Sequence, residues 1–320
     1  MKYNFLICSN GLGHLHRILE VACELRAIYK AKVKFFVDEK ALSILEAYGF
    51  FSPEQVFLVE HPALLTEAGF ETNYWKKVLE SIADDEIVIS DNIVKAISIR
   101  NNTILIANFF WHSVIELGSE DKKFVDNLLQ KHKPTIIGHN FFSMSDVKGQ
   151  KNFKPYGFRN ETISDMKPKS GRSILIASGA SGRAINEFKQ NADNIKEICR
   201  KFENIYLDKY LEESLGPYFS NYTLATFTQE MYNSIDMAII RPGLGTLREL
   251  YLRKIPMHLI FENNNLEMIH LFEKVSYLGL NAKISSGLHS SNVQKTNILR
   301  EEFKYPSITQ NIIQAIRYDY

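Results

Sequence analysis

Phe5-Leu6-Ile7-Cys8-Ser9-Asn10-Gly11-Leu12-Gly13-His14 and Ile174-Leu175-Ile176-Ala177-Ser178-Gly179-Ala180-Ser181-Gly182-Arg183 lie 169 positions apart and read alike. Each begins with an apolar run of buried-strand length. Each then passes through small polar residues and glycines and enters a helical pattern. A strand that stops at a tight glycine loop and feeds a helix is the opening of a β-α unit. Its appearance at the N-terminus and again past mid-chain predicts one architecture used twice.

Outward from the first opening, Leu15, Ile18, Leu19, Ala22, Leu25 and Ile28 recur at helical spacing. Lys32 to Val37 is a second strand, and Lys40 to Tyr48 a second helix that stops at Gly49. Further strands are expected at 55–59, 86–90, 103–107 and 135–137, with a helical stretch at 62–80. Past the second opening come strands at 173–177, 204–207, 222–225, 237–240 and 257–261. Helices are expected at 184–201, at 229–234, after Gly245 to about Lys254, up to Leu278 before Gly279, and at 308–318. This alternation predicts an α/β fold of two Rossmann-like domains, each a parallel sheet with helices on its faces. Residues 145–172 are rich in Lys, Asn, Gly, Pro and Ser, which places a linker at roughly 158–172.

The chain of 320 residues is 45% hydrophobic and 23% charged, the composition of a soluble two-domain protein. Lys+Arg is 38 and Asp+Glu 37, a net charge of +1 that gives no electrostatic case for nucleic-acid binding. Cys8, Cys23 and Cys199 are scattered, without metal spacing, and fit buried thiols in a reducing compartment. The N-terminus runs straight into a strand, and no apolar run approaches the ~18 residues of a spanning helix. A cytoplasmic protein is expected, with peripheral contact at the inner face of the plasma membrane left open. Phe70, Tyr74 and Trp75 beside Lys76 and Lys77 either cover the sheet as a helix or form an acceptor- or membrane-facing surface.

A second anion-binding pattern occupies Ile239-Ile240-Arg241-Pro242-Gly243-Leu244-Gly245-Thr246-Leu247-Arg248-Glu249-Leu250. A strand that ends at glycines and opens a helix gathers backbone N–H groups and a positive dipole end at one point, which suits a phosphate. Glu249 sits one turn in, within reach of sugar hydroxyls. Thr246-x-x-Glu249 is equally a capping box, in which both residues only satisfy the helix start.

His14 lies where a strand's carboxyl end, a glycine loop and a helix N-terminus meet. A positive helix end disfavours a protonated imidazole there, so His14 is a candidate general base, or else a loop histidine bonded to backbone. In open α/β sheets ligands gather at the carboxyl ends of strands, which adds Asp91 and the segment Asn108 to His112. The third glycine of GxGxxG is missing after Gly13. No P-loop, HExxH, zinc spacing, GxSxG or DxD occurs.

Gly11-Leu12-Gly13-His14-Leu15-His16-Arg17 resembles the N-terminal glycine loop of GT-B glycosyltransferases. Arg241-Pro242-Gly243-x-Gly245-Thr246-x-x-Glu249 resembles their donor-nucleotide motif, and the nearest group is the MurG-like one. The resemblance covers both halves in order. It implies two Rossmann-like domains facing across a cleft: an acceptor domain at 1–160 and a donor domain at 161–320, with the last helix packing back on the first. Carried over residue by residue, Glu249 would bind ribose hydroxyls. Arg241, Gly243, Gly245 and Thr246 would frame the donor phosphates or sugar. Ser178, Gly179, Ser181 and Gly182 would line the diphosphate side, with Gly13 and Arg17 contributing from the first loop. His14 would deprotonate the acceptor, oriented by Asp91. Asn264, Asn265 and Glu267 are sugar-binding candidates, although Met268 and Leu271 stand where the family carries amides.

The implied reaction moves a sugar from a nucleotide-diphosphate donor, UDP by preference, to a glycan or lipid-linked acceptor in cell-surface glycan synthesis. It inverts the anomeric carbon and uses no metal or other cofactor beyond the nucleotide-sugar co-substrate. Three alternatives share the fold. Gly13-His14-x-x-Arg17 is also the signature of the UDP-sugar hydrolase of pseudaminic acid synthesis, in which His14 would activate water. A non-hydrolysing epimerase would need a carboxylate cluster that is not apparent. A catalytically silent nucleotide-sugar binding protein would show no activity to lose.

Overall fold

The computed structural model describes residues 1–48, 52–115, 118–157, 172–179, 184–253, 255–277, 282–284 and 305–319. The chain divides into two compact units, Met1–Arg159 with Glu301–Tyr320, and Asn160–Arg300. The expected linker, the stops at Gly49 and Gly279, and the loop residues Ser181, Gly182 and Arg183 lie outside the described residues.

In the first unit, β1 (Lys2–Ile7), β2 (Lys32–Val37), β3 (Val56–Leu58), β4 (Ile87–Asp91), β5 (Ile104–Ile106), β6 (Ile136–His139) and β7 (Phe153–Tyr156) form one sheet. Its order is β3-β2-β1-β4-β5-β6-β7, with every neighbouring pair parallel. The helices are α1 (Leu12–Tyr29), α2 (Glu39–Tyr48), α3 (Thr72–Leu79), α4 (Trp111–Val114), α5 (Ser119–His132) and α6 (Ser145–Lys148). Central strands covered on both faces read as unbroken apolar runs, which is why β1 and β4 stood out in the sequence. One face packs Phe5, Phe35, Ile18 and Leu25 in a single core, and the opposite face packs Leu6, Phe36, Val88 and Trp75.

In the second unit, β8 (Ser173–Ala177), β9 (Asn204–Leu207), β10 (Thr223–Leu224), β11 (Met237–Ile240), β12 (Met257–Leu259) and β13 (Ala282–Ile284) take the order β10-β9-β8-β11-β12-β13, again all parallel. Its helices are α7 (Ile185–Gln190), α8 (Ala192–Cys199), α9 (Glu212–Leu215), α10 (Gln229–Ser234), α11 (Leu244–Leu252) and α12 (Leu266–Tyr277). The last helix, α13 (Ile308–Asp319), belongs to the first unit. Its Ile312, Ala315 and Ile316 join the core around α1 and β1, and Asn311 Nδ2 donates to the Pro155 carbonyl at 3.0 Å.

Several details differ from the sequence pattern, which also did not predict β13 or the helices α4, α5, α6 and α9. The stretch 62–80 is two pieces, a 3-10 turn at Pro62–Leu65 and α3. They fold back because Gly69 lies against Ala63, where a Cβ would meet its carbonyl oxygen at 2.2 Å. The aromatic residues of that stretch are not a surface. Trp75 is fully buried, stacks on Phe70 at 5.5 Å and donates Nε1–H to the Leu64 carbonyl at 2.9 Å, with Tyr74 packed against it. The strand β7 was not expected, since Pro155 interrupts its pattern. Pro is tolerated because β7 is the edge of the sheet. The helix expected at 184–201 is broken at Asn191, whose Nδ2 bonds the Glu187 carbonyl at 2.8 Å.

Candidate active site

In each sheet the strand order reverses at one place, between β1 and β4 in the first unit and between β8 and β11 in the second. The carboxyl ends of the strands on either side of such a switch point splay their following loops apart and leave a crevice. His14, Arg17 and Asp91 fall at the first of these places and Ser178, Gly179 and Arg241 to Glu249 at the second, whereas Asn108 to His112 follow β5, and Asn264, Asn265 and Glu267 follow β12.

In the first unit the chain leaves β1 through Gly11, whose φ of 137° only glycine adopts without strain, and enters α1 with no side-chain cap. His14 therefore sits in the first helical turn. Strand β4 carries Asp91 opposite Ile7 in the register, and the carboxylate is completely buried. His14 Nδ1 lies 3.1 Å from Asp91 Oδ2, and Arg17 Nη2 bonds Asp91 Oδ1. The guanidinium also lies 3.4 Å from His14 Nδ1 and bonds Tyr156. Burial alone would raise the Asp91 pKa, but Arg17 and His14 overcome it and hold the carboxyl below its ordinary range. Burial alone would lower the Arg17 pKa, and the Asp91 charge more than reverses that. With Asp91 ionised, Nδ1 carries the ring proton and donates it to Oδ2, which leaves the lone pair on Nε2. The indole of Trp111 flanks the imidazole at 6.5 Å between centroids. Arg17, expected against the donor, is instead engaged with Asp91 and Tyr156.

In the second unit α11 begins one residue after Gly243, the N-cap, and no side chain caps it. Thr246 lies inside the helix, so it does not act as the cap of a capping box. Its hydroxyl meets Tyr232, whose phenol burial pushes up to about 12. Glu249 turns away from the helix start. Its Oε2 accepts from Arg253 Nη1 at 2.7 Å and from Gln229 Nε2 at 3.4 Å. Gln229 Oε1 in turn accepts from Arg253 Nη2, and the guanidinium lies over the Tyr232 ring at 5.6 Å. Arg241 is clasped by Glu262, Nε to Oε2 at 3.1 Å and Nη2 to Oε1 at 3.4 Å, so its charge is already balanced within the protein. Ser178 is buried, and the Gly179 N–H donates to Asp208 Oδ2 at 3.1 Å. Asn265 caps α12 through Oδ1 to the Met268 N–H at 3.2 Å, whereas Asn264 is exposed. Met268 and Leu271 are buried in place of the family's amides, and Glu267 is partly buried beside them.

The glycines separate into two kinds. Gly69 and Gly138 are demanded by packing, since a Cβ on Gly138 would lie 2.6 Å from both the Ala107 carbonyl oxygen and Ser143 Oγ. Gly13, Gly243 and Gly245 have ordinary φ, and a Cβ on any of them meets no described atom within 4 Å. Neither backbone conformation nor neighbouring atoms require glycine there.

Arg253, Gln229, Tyr156 and Phe227 were not singled out in the sequence. Arg253 had a signal, the i to i+4 spacing from Glu249 on one helix. Phe227 is 41% exposed with φ 54° and leads into α10. Such a conformation is strained for an aromatic residue, and it presents the ring beside Gln229 and Tyr232. Tyr156 and Phe227 had none.

No family model and no curated protein matches the sequence. Solved structures do. Spinosyn rhamnosyltransferase SpnG matches with a TM-score of 0.60 at 13% identity, over 99% of this chain and 91% of its own. LpCGTa, solved in complex with UDP, matches at 0.59 and 12%, over 98% and 93%. The glycosyltransferase SnogD from Streptomyces nogalater matches at 0.54 and 15%, over 98% and 93%. The fold is that of the GT-B glycosyltransferases. At these identities the likeness is one of fold, and it extends over nearly the whole GT-B chain. Among the described residues no helix is long and apolar enough to cross a membrane, and no three His, Cys, Asp or Glu side chains group to hold a metal ion.

Proposed function

We propose that this protein is a glycosyltransferase that moves a sugar from a nucleotide-diphosphate donor to an acceptor hydroxyl. The observation that carries it is His14, bonded through Nδ1 to a buried, ionised Asp91 at the switch point of the first sheet. Nε2 accepts the acceptor's proton as the oxygen attacks the anomeric carbon. The bond from that carbon to the diphosphate breaks, and the electron pair leaves with the nucleoside diphosphate. The bare start of α11, with Gly243 and Gly245, stabilises that leaving charge through backbone N–H groups and the helix dipole. Glu249, oriented by Arg253, accepts hydrogen bonds from ribose hydroxyls, and exposed Phe227 offers a stacking face for a base.

UDP is the favoured nucleotide because neighbours such as LpCGTa were solved with UDP. SpnG was solved with the spinosyn aglycone, which supports a separate acceptor molecule. In-line attack inverts the anomeric carbon, and no step needs a metal. The MurG-like grouping, a cell-surface glycan or lipid-linked acceptor, and work at the inner membrane face rest on the two loop motifs.

A panel of UDP-, GDP-, CDP- and dTDP-sugars followed by phosphorus NMR tests the assignment. One donor is expected to shift or broaden on binding and to release nucleoside diphosphate only slowly without acceptor. Fast and complete release, abolished by His14→Ala, makes the protein a hydrolase in which His14 activates water.

A further inference from the structure

We propose that Arg17 is a positioning residue for His14: it serves as the permanent counter-ion of Asp91, so that the imidazole need not be one. A carboxylate removed entirely from water must face a cation, or take up a proton itself. Asp91 has two neighbours able to supply charge, one on each oxygen. His14 Nδ1 stands 3.1 Å from Oδ2, and Arg17 Nη2 bonds Oδ1. A guanidinium stays charged at every working pH, whereas an imidazole is charged only when protonated. Arg17 therefore satisfies Asp91 while His14 is neutral, and its own charge, 3.4 Å from Nδ1, opposes a second cation there. The result is a histidine whose ring proton is held on Nδ1 against Asp91, which leaves the lone pair on Nε2.

The remaining groups around the pair do not compete for this role. Tyr156 bonds Arg17, and the Trp111 ring flanks His14. The Cys8 thiol behind Asp91 is kept neutral by burial, which pushes it up to about 12. Glu67, which acts on Cys8, is raised by burial to about 7.

That His14 is the base is the proposal above. The charge arrangement is tested without it, by following the His14 ring protons by NMR over pH in the full chain without substrate. The resonance is assigned by its loss in His14→Ala. In Arg17→Gln the carboxylate loses its permanent partner, and the midpoint of His14 is expected to rise by about one pH unit or more. Arg17→Lys is expected to stay within a few tenths of a unit of the unaltered protein. Asp91→Asn, which leaves only the Arg17 charge, is expected to lower the midpoint. Arg17→Gln with an unchanged or lowered midpoint overturns the proposal, since a merely structural arginine alters melting but not this titration. Should Arg17→Gln not fold, Asp91→Asn with an unchanged or raised midpoint overturns it equally. The acid limb of turnover in Arg17→Gln is expected to move upward with the midpoint. A midpoint that moves while the limb stays fixed removes His14 as the base and leaves the counter-ion role standing.

Discussion

Asp91 Oδ2 lies 3.1 Å from His14 Nδ1, a contact between the end of β4 and the first turn of α1 that joins residues 77 positions apart. The bond selects the tautomer with Nε2 unprotonated. Asp91→Asn keeps the shape but loses that selection, and turnover is expected to fall about 10²- to 10⁴-fold, as for loss of a general base. Asp91→Asn and Asp91→Ala both leave Arg17 without its anion, which costs about 3–5 kcal/mol of stability, and Asp91→Ala removes the shape as well. Steady-state kinetics and urea unfolding of the two variants measure the two losses.

Gly245 and Gly138 predict opposite behaviour. Gly245 sits in α11 with open space beyond it, so Gly245→Ala is expected to hold or raise stability, by about 0.5–1 kcal/mol from helix propensity. Gly138→Ala forces a methyl against the Ala107 carbonyl and Ser143, and about 1–3 kcal/mol of stability is lost. Thermal melting of both variants checks the contrast.

Glu249 is held by Arg253 from one turn further along α11. Glu249→Gln removes a charged acceptor and is expected to weaken nucleotide affinity by about ten- to a hundredfold. Arg253→Met, which frees the carboxylate to rotate, is expected to cost several-fold less than that. Calorimetric titration with UDP measures both.

Glu67 predicts a pH dependence of stability. It is buried, with Oε2 accepting the Val94 N–H at 2.6 Å, and its pKa is raised by burial from an ordinary 4.5 to about 7. Between these values the folded state binds more protons than the unfolded state, so stability falls as pH rises through that window. The loss approaches the order of 3 kcal/mol above the folded pKa. Asp91, held low, acts in the opposite sense, and its contribution is lost as pH falls through its folded pKa. Glu67→Gln is expected to unfold at higher urea than the unaltered chain at pH 8 but not at pH 5. A variant equally or less stable at pH 8 contradicts the prediction.

Both sheets were legible because parallel strands buried on two faces leave unbroken apolar runs, as in Phe5–Cys8 and Met237–Ile240. The His14 loop and the Gly243–Gly245 helix start were legible because glycines at strand ends are local features. Contacts that join distant residues left no such trace. Arg17 meets Asp91 across 74 positions, and its spacing in the glycine loop suggested a ligand instead. The aromatic run at 70–75 gave no periodic cue to which side was covered, and Trp75 went to the core because the Leu64 carbonyl takes its N–H. The capping box at Thr246 and Glu249 was a local pattern that lost to other partners, Tyr232 for one and, for the other, Arg253 four residues on together with distant Gln229.

In the proposed reaction the bare helix start of the second unit receives a nucleotide diphosphate. Titrating UDP calorimetrically into the unaltered protein and into Gly245→Leu tests it most directly. A Cβ there meets no described atom within 4 Å, so melting is expected to hold or rise while UDP binding is lost. UDP that binds both proteins equally, or neither, contradicts the account.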